Sequence, residues 1–345
     1  MIDIGDGAVL AALVGLFGGV VLGLAARLGR FCTLGAIEDA LYSSDTRRLR
    51  MWGVAIGTAV IVTHVALAAG WLDGAQTFFL SRHWSLPGTV LGGLLFGYGM
   101  ALSGNCGYGA LARLGGGDLR SLVIVVVMGL TAFITLSGPL ALARITVFPD
   151  MPASGPQALS QLTGAPLATG LGVGALLILA ALSGGGMLRA PKHLGWGVAV
   201  GLAVASGWIG TQWVSTESFG AVPVESHSFA RPLGETLLWL MTASAAAPGF
   251  AVGSVTGVLL GAFLGSLRKG HFRWEACEDP RELKRQILGA ALMGPGAVLA
   301  AGCSVGQGLS AFSLLSFSAP VALLSIFAGA AIGLRQLIVG FAPAE

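Results

Sequence analysis

The chain has 345 residues, of which 54% are hydrophobic and only 10% charged, where a soluble domain carries about 25% charge. Apolar runs of roughly 20 residues recur along it, the length that a bilayer core demands, so a soluble globular domain is excluded and an all-α polytopic membrane protein is expected. The formal net charge of +3 excludes little, because the charges are partitioned between two sides.

The first eight residues carry Asp3 and Asp6 where a cleavable signal peptide has a basic region. Hydropathy then predicts nine spans, at about 9–28, 50–69, 88–104, 119–142, 167–183, 195–213, 248–267, 287–302 and 318–338. Those ending near 104 and 302 are short and run into glycine, the pattern of broken helices. Glycine, at 55 residues, is about twice its usual share; in lipid, small residues let helix backbones approach closely. Of the 19 basic residues, 16 fall on one side, and only Arg82, Arg144 and Arg231 on the other. The positive-inside rule then places the N-terminus outside and the C-terminus in the cytoplasm. The densest basic stretch, Arg268 to Arg285, reads first as a positive-inside anchor and second as a docking surface for a cytosolic acceptor.

The chain also repeats itself at an offset of 197 residues. Residues 91–109 and 288–306 share eight identities in nineteen positions, including Cys106/Cys303 and Gly109/Gly306, and Glu38 and Leu41 map onto Glu235 and Leu238. The offset carries span 2 onto span 7, span 3 onto span 8 and span 4 onto span 9, and span 1 pairs with span 6. Span 5 is a connector. Matching helices are an odd number of crossings apart, so the halves are expected to insert with opposite orientation, as in transporters whose sites lie at the midplane between discontinuous helices. The whole chain, 1–345, is read as one transmembrane transporter domain, with repeat 1 at about 9–145, a connector at about 146–190 and repeat 2 at about 191–342. Thr33–Tyr42 and Pro232–Ser244 are predicted as matching short re-entrant helices, with Pro232 at a favourable first helical position. Gly107, Gly109, Gly115, Gly116 and Gly117 are read as a turn, as are Gly302, Gly306 and Gly308.

Three cysteines share the frame Cys-x-x-Gly, at Cys32, Cys106 and Cys303. A lone buried cysteine is ordinarily a small inert hydrophobe; three in one frame, two of them a repeat apart, argue for use of the sulfur. Each stands beside a predicted helix start, where free N–H groups and the helix dipole favour negative charge and activate a thiol. An anion leaving water needs such donors. Arg30 beside Cys32 adds positive potential, and Asn105, Gly107 and Tyr108 around Cys106, with Gly302, Ser304 and Gln307 around Cys303, are candidate ligands. Glu38 is a candidate as an acid at membrane depth, and Trp208 and Trp239 as pathway walls. The five histidines show no pairing. No cysteine pair has metal-ligand or Cys-x-x-Cys spacing, no Walker sequence is present, and neither metal, cofactor, nucleic acid nor enzymatic reaction is expected. Cys277, in a charged stretch outside the frame, reads as an incidental cytosolic thiol.

Gly29-Arg30-Phe31-Cys32-Thr33-Leu34-Gly35-Ala36, followed by Arg48-Leu49-Arg50-Met51-Trp52, resembles the YeeE/YedE family of bacterial sulfur-compound transporters, as do Ser103-Gly104-Asn105-Cys106-Gly107 and Ala301-Gly302-Cys303-Ser304-Val305-Gly306. The resemblance implies uptake of thiosulfate across the inner membrane. It also implies that Cys32, Cys106 and Cys303 pass the ion along by transient sulfur contacts, and that a small cytosolic sulfurtransferase of the TusA/TsuB kind is the partner. Selenium and other sulfur species are proposed cargoes of some members. The long outer segment 145–165 and the charged cytoplasmic loop with Cys277 depart from the family pattern. The expected function is therefore a permease for a small sulfur-containing anion. The alternatives are a membrane thiol-disulfide oxidoreductase and a pore for another sulfur or selenium species.

Overall fold

A computed structural model describes residues 4–149, 151–184, 186–276 and 279–340. Cys277 lies outside the described residues. The described residues form helices α1 (Ile4–Leu28), α2 (Thr33–Tyr42), α3 (Arg47–Ala68), α4 (Phe78–Ser81), α5 (Leu86–Ser103), α6 (Gly107–Gly115), α7 (Arg120–Leu136) and α8 (Ala141–Val147). These are followed by α9 (Leu159–Thr163), α10 (Pro166–Leu182), α11 (Pro191–Glu217), α12 (Arg231–Thr242), α13 (Phe250–Lys269), α14 (Pro280–Leu299), a π-helical turn at Gly306–Ala311 and α15 (Ser318–Val339). The fold is all-α and polytopic.

Among the described residues, six helical stretches are long and apolar enough to cross a membrane, or seven if α7 and α8, bent by 57° at their break, form one span. Nine were expected. Three expected spans fall short: α7 and α10 are apolar but have only 17 residues each, α7 reaching across only together with α8, and α14 opens with Arg281, Glu282, Lys284 and Arg285, which leaves too short an apolar remainder. The breaks foreseen near 104 and 302 are present, with α5 ending at Gly104 in the left-handed region (φ 75°) and α14 ending just before Ala301 and Gly302. Local chemistry sets the starts. Ser85 accepts a hydrogen bond from Gly88 N–H at the head of α5, and Asp279 accepts one from Arg281 N–H at the head of α14, with Pro280 next in line.

The helices pair in a pattern that repeats between the halves. α1 packs on α13 as α3 packs on α11; α5 packs on α15 as α14 packs on α7; α2 meets α3 and α15 as α12 meets α13 and α7. α1 with α11, and α5 with α14, pair across the middle, while α10 lies on α3. The α1–α13 contact is built on Gly15, Gly19 and Gly23 of one helix facing Gly253, Gly257 and Gly261 of the other. Their four-residue spacing puts three small residues on one stripe of each helix, so the two backbones touch. A Cβ at Gly257 would lie 2.9 Å from Gly19 Cα and 3.0 Å from Val20 N. This close seam holds the end of α1, and with it Phe31 and Cys32, against the centre of the molecule.

Candidate functional site

The Cys-x-x-Gly frame folds the same way three times. Two residues ahead of each cysteine the chain turns through the left-handed region, at Arg30 (φ 56°), Gly104 (φ 75°) and Ala301 (φ 55°). Two of these are non-glycine residues, which adopt that conformation only against about 1–2 kcal/mol. Cys32 and Cys106 then stand in extended conformation as the residues capping α2 and α6, and Cys303 precedes the helical turns that lead into Gly306–Ala311. Each cysteine carbonyl accepts the first helical bond, from Ala36 N at 3.1 Å, Ala110 N at 2.8 Å and Gln307 N at 2.8 Å. Three helix N-termini, with their unpaired N–H groups and positive dipole ends, thereby carry a thiol at the cap. The frame glycine makes room for what lies over it. A Cβ at Gly109 would sit 3.9 Å from Cys106 Sγ, and one at Gly306 3.9 Å from Cys303 Sγ, whereas at Gly35 it would meet the guanidinium of Arg48.

The three starts converge. Cys106 lies within electrostatic reach of both Cys32 and Cys303, with the Ser304 hydroxyl beside it. Cys106 and Cys303 are each 1% exposed, Cys32 is partly exposed, and all three are free thiols. Cys303 has the richest surroundings: its sulfur accepts from Phe229 N–H at 3.2 Å and Gly306 N–H at 3.4 Å, with the Ser228 hydroxyl at 3.7 Å. Phe229 occupies the slot that the repeat assigns to the partner of Cys32. It contributes its amide to the sulfur of the other motif instead of a thiol of its own.

A chain of rings crosses the same region. Trp52 stacks on Phe31 with centroids 4.6 Å apart, Phe31 meets Tyr108 edge-on at 6.4 Å, and Tyr108 meets Phe229 at 5.4 Å. These rings exclude water and hold the cysteine-bearing turns in register. Among them sit polar atoms that are buried with no hydrogen-bond partner: Thr33 Oγ1, Trp52 Nε1 and both ends of the Asn105 amide, while Ser304 Oγ has only the Cys106 thiol beside it.

The predicted site residues divide. Cys32, Cys106, Cys303, Asn105, Tyr108 and Ser304 come together, and Gly107 opens α6 with its α-carbon close to the Phe229 carbonyl. Tyr108 and Gln307 spend their polar atoms on the fold. The Tyr108 hydroxyl donates to Leu22 O at 2.6 Å; Gln307 Nε2 donates to Ala300 O at 2.6 Å while its Oε1 accepts from Ser318 at 3.3 Å. Arg30 is exposed and acts through its backbone, its carbonyl accepting from Arg48 Nε at 3.2 Å. Glu38 is exposed on α2, and its repeat partner Glu235 is paired with Arg231 at 2.6 Å. Gly302 has φ 158° and lies in the turn, but Gly306 and Gly308 belong to the π-helical segment Gly306–Ala311 and Gly107 to Gly115 continue as helix α6, instead of the loops expected. Trp208 is buried with its indole N–H on Ser313, and Trp239 donates to Ala246 O; neither ring joins the aromatic chain. Thr33, Trp52, Ser228 and Phe229 were not singled out as ligands. Trp52 had a signal, its place in the Arg48–Trp52 segment; the amide of Phe229 had none.

Comparison with known proteins places the chain. The chain is 26% identical over 340 residues to the thiosulfate transporter TsuA of Spirochaeta thermophila, covering 91% of this chain and 96% of that one. It is also 26% identical over 332 residues to the thiosulfate transporter TsuA of Escherichia coli, covering 92% of each. Residues 28–332, which span all three cysteine frames, match the family described as sulphur transport, and the chain belongs to that family of membrane transporters.

Proposed function

We propose that this protein is a permease that takes up thiosulfate across the bacterial inner membrane, relaying the ion along Cys32, Cys106 and Cys303. The observation that carries the reading is the convergence of three cap thiols at three helix starts in the buried centre of the molecule. Thiosulfate pairs a terminal sulfur with three oxygens. Its sulfur end suits weak S–H···S contacts with successive thiols, and its charge suits the helix-start N–H groups, which replace water without locking the ion in place. No ion pair needs to break for release, so the ion can leave as easily as it enters. Both relatives are named as thiosulfate transporters, which supports the choice of anion.

The alternating helix pairings support an inverted repeat, with repeat 1 at about 9–145 and repeat 2 at about 191–342 around a connector. The lysine and arginine bias supports an N-terminus in the periplasm and a C-terminus in the cytoplasm. On that orientation the ion arrives on the cytoplasmic face, where a small sulfurtransferase of the TusA/TsuB kind is the fitting acceptor. The test is uptake of radiolabelled thiosulfate into proteoliposomes by the wild type and by Cys32→Ala, Cys106→Ala and Cys303→Ala. Each single variant is expected to lose transport while keeping its thermal midpoint; full uptake by all three rejects the relay.

A further inference from the structure

We infer that Thr33, Trp52, Asn105 and Ser304 form a second half of the site, a set of neutral donors that takes the oxygens of the anion while the thiols take its sulfur. The inference rests on the permease reading and adds the part of the protein that distinguishes an oxygen-bearing sulfur anion from a bare sulfide.

All four side chains are more than nine-tenths buried: Thr33 is 5% exposed, Trp52 5%, Asn105 1% and Ser304 0%. Thr33, Trp52 and Asn105 nevertheless have polar atoms without a partner, Asn105 two of them, and the Ser304 hydroxyl has nothing but the Cys106 thiol beside it. A buried polar group left unpaired is costly, and native structures carry few of them. Such atoms on residues flanking three thiols amount to a cost concentrated at one place. Other buried atoms among the described residues are also unpaired, among them Gln157 Oε1, Gln286 Oε1 and His227 Nε2, whose ring stacks on Phe229; none of these residues adjoins a thiol in sequence or stacks on the chain neighbour of one.

Position supports the same assignment. Thr33 is the first residue of α2, directly after Cys32. Ser304 directly follows Cys303 and lies beside the thiol of Cys106. The Asn105 amide carbon and the Cys106 sulfur flank one point above Gly109, each 3.9 Å from it. Trp52 belongs to α3, yet it is stacked on Phe31, the neighbour of Cys32, and touches Gly308, five residues beyond Cys303. Four separate elements thus bring buried polar groups to the one region where the thiols meet. Two hydroxyls, an indole N–H and a carboxamide carry no charge. Together with the helix-start amides they can bind the three oxygens of a sulfonate-like group without an arginine, whose bidentate grip on an oxoanion would be strong. The ligand class is a sulfur oxoanion bearing a terminal sulfur.

The test compares wild type with Trp52→Phe, which keeps the stacking and removes the N–H, and Thr33→Val, which keeps the shape and removes the hydroxyl. Thiosulfate uptake is measured against concentration in proteoliposomes. Equilibrium binding is read independently as thiosulfate protection of Cys32, the partly exposed thiol of the three, from a maleimide, followed on its own peptide by mass spectrometry. Losing one hydrogen bond of about 1 kcal/mol is expected to raise KM and the protecting concentration about fivefold in each variant. The maleimide rate without thiosulfate and the maximal uptake should change less than twofold, a split that a general loss of structure would not produce. Wild-type KM and protection in both variants overturn the assignment. A wild type that is protected but does not transport sinks the permease reading and leaves the protection series to judge the four donors. A wild type that is neither protected nor active overturns both. If Trp52→Phe does not fold, Thr33→Val decides by the same readouts.

Discussion

Replacing Gly257 by alanine tests whether the α1–α13 seam positions the site. The added methyl would meet the Leu16 carbonyl, Gly19 Cα at 2.9 Å and Val20 N at 3.0 Å. All three are backbone atoms on the facing helix, so no side chain can swing away. An ordinary carbon contact is about 3.5–4.0 Å, and the helices must part by several tenths of an ångström along a stripe of six interlocked glycines. Overpacking of this kind costs about 1–3 kcal/mol, while the gain in helix propensity returns up to about 1 kcal/mol; the net expectation is a loss of about 1–2 kcal/mol. Gly195→Ala on α11 is the control. It has no atom within 4 Å of the new methyl, so only the propensity gain remains. Thermal unfolding in detergent should show Gly257→Ala below wild type and Gly195→Ala at or above it, with thiosulfate uptake reduced in the first alone because α1 leads into Phe31 and Cys32. Equal midpoints and equal uptake for both variants would refute the idea that backbone contact at this seam holds the site.

Other outcomes follow from single contacts. Gly306→Ala would place a methyl 2.6 Å from Ser228 Oγ and 3.9 Å from Cys303 Sγ. It is expected to reduce thiosulfate uptake more than Ser228→Ala, which loses only the long 3.7 Å contact, roughly two- to fivefold at about 0.5–1 kcal/mol; the reverse order would contradict the cradle around Cys303. Glu225 lies in the segment between α11 and α12, where burial pushes its carboxyl up to about 7, opposed by Arg231 and reinforced by Glu235. Because the folded protein holds this proton more tightly than the unfolded chain, stability should fall by up to about 3 kcal/mol as pH rises from about 4.5 to about 7, and level off above. Glu225→Gln should remove that slope in midpoints measured from pH 5 to 8; a parallel slope in the variant would count against it. Trp208→Phe removes the 3.0 Å hydrogen bond from the indole to Ser313 in the core and should cost about 2 kcal/mol, read as a lower unfolding midpoint with the cysteine frames intact.

What the chain discloses residue by residue is what local physics writes into it. Apolar length announces spanning helices. The helix bounds Thr33–Tyr42 could be read off the segment itself, because they depend on neighbours a few positions away. The cysteine frames were visible for the same reason, and the 197-residue offset carries the range of α2 onto that of α12 and the range of α5 onto that of α14 to within a few residues. Span counting was less secure at α14, where a charged first turn sits on an apolar remainder.

Tertiary structure alone decided which groups meet. Phe229 reaches the sulfur of Cys303, 74 positions away, through its main-chain N–H, a donor that every residue except proline owns, so its identity carried no mark. Gln307 looked like a ligand by adjacency, but the carbonyl left open at the end of α14 claimed its amide. Thr33 and Trp52 are ordinary helix residues until folding buries them beside the thiols without partners. Composition and spacing determine that thiols stand at helix starts within a membrane; only the packing of distant backbones, through glycine seams that let them touch, decides that those starts point at one another.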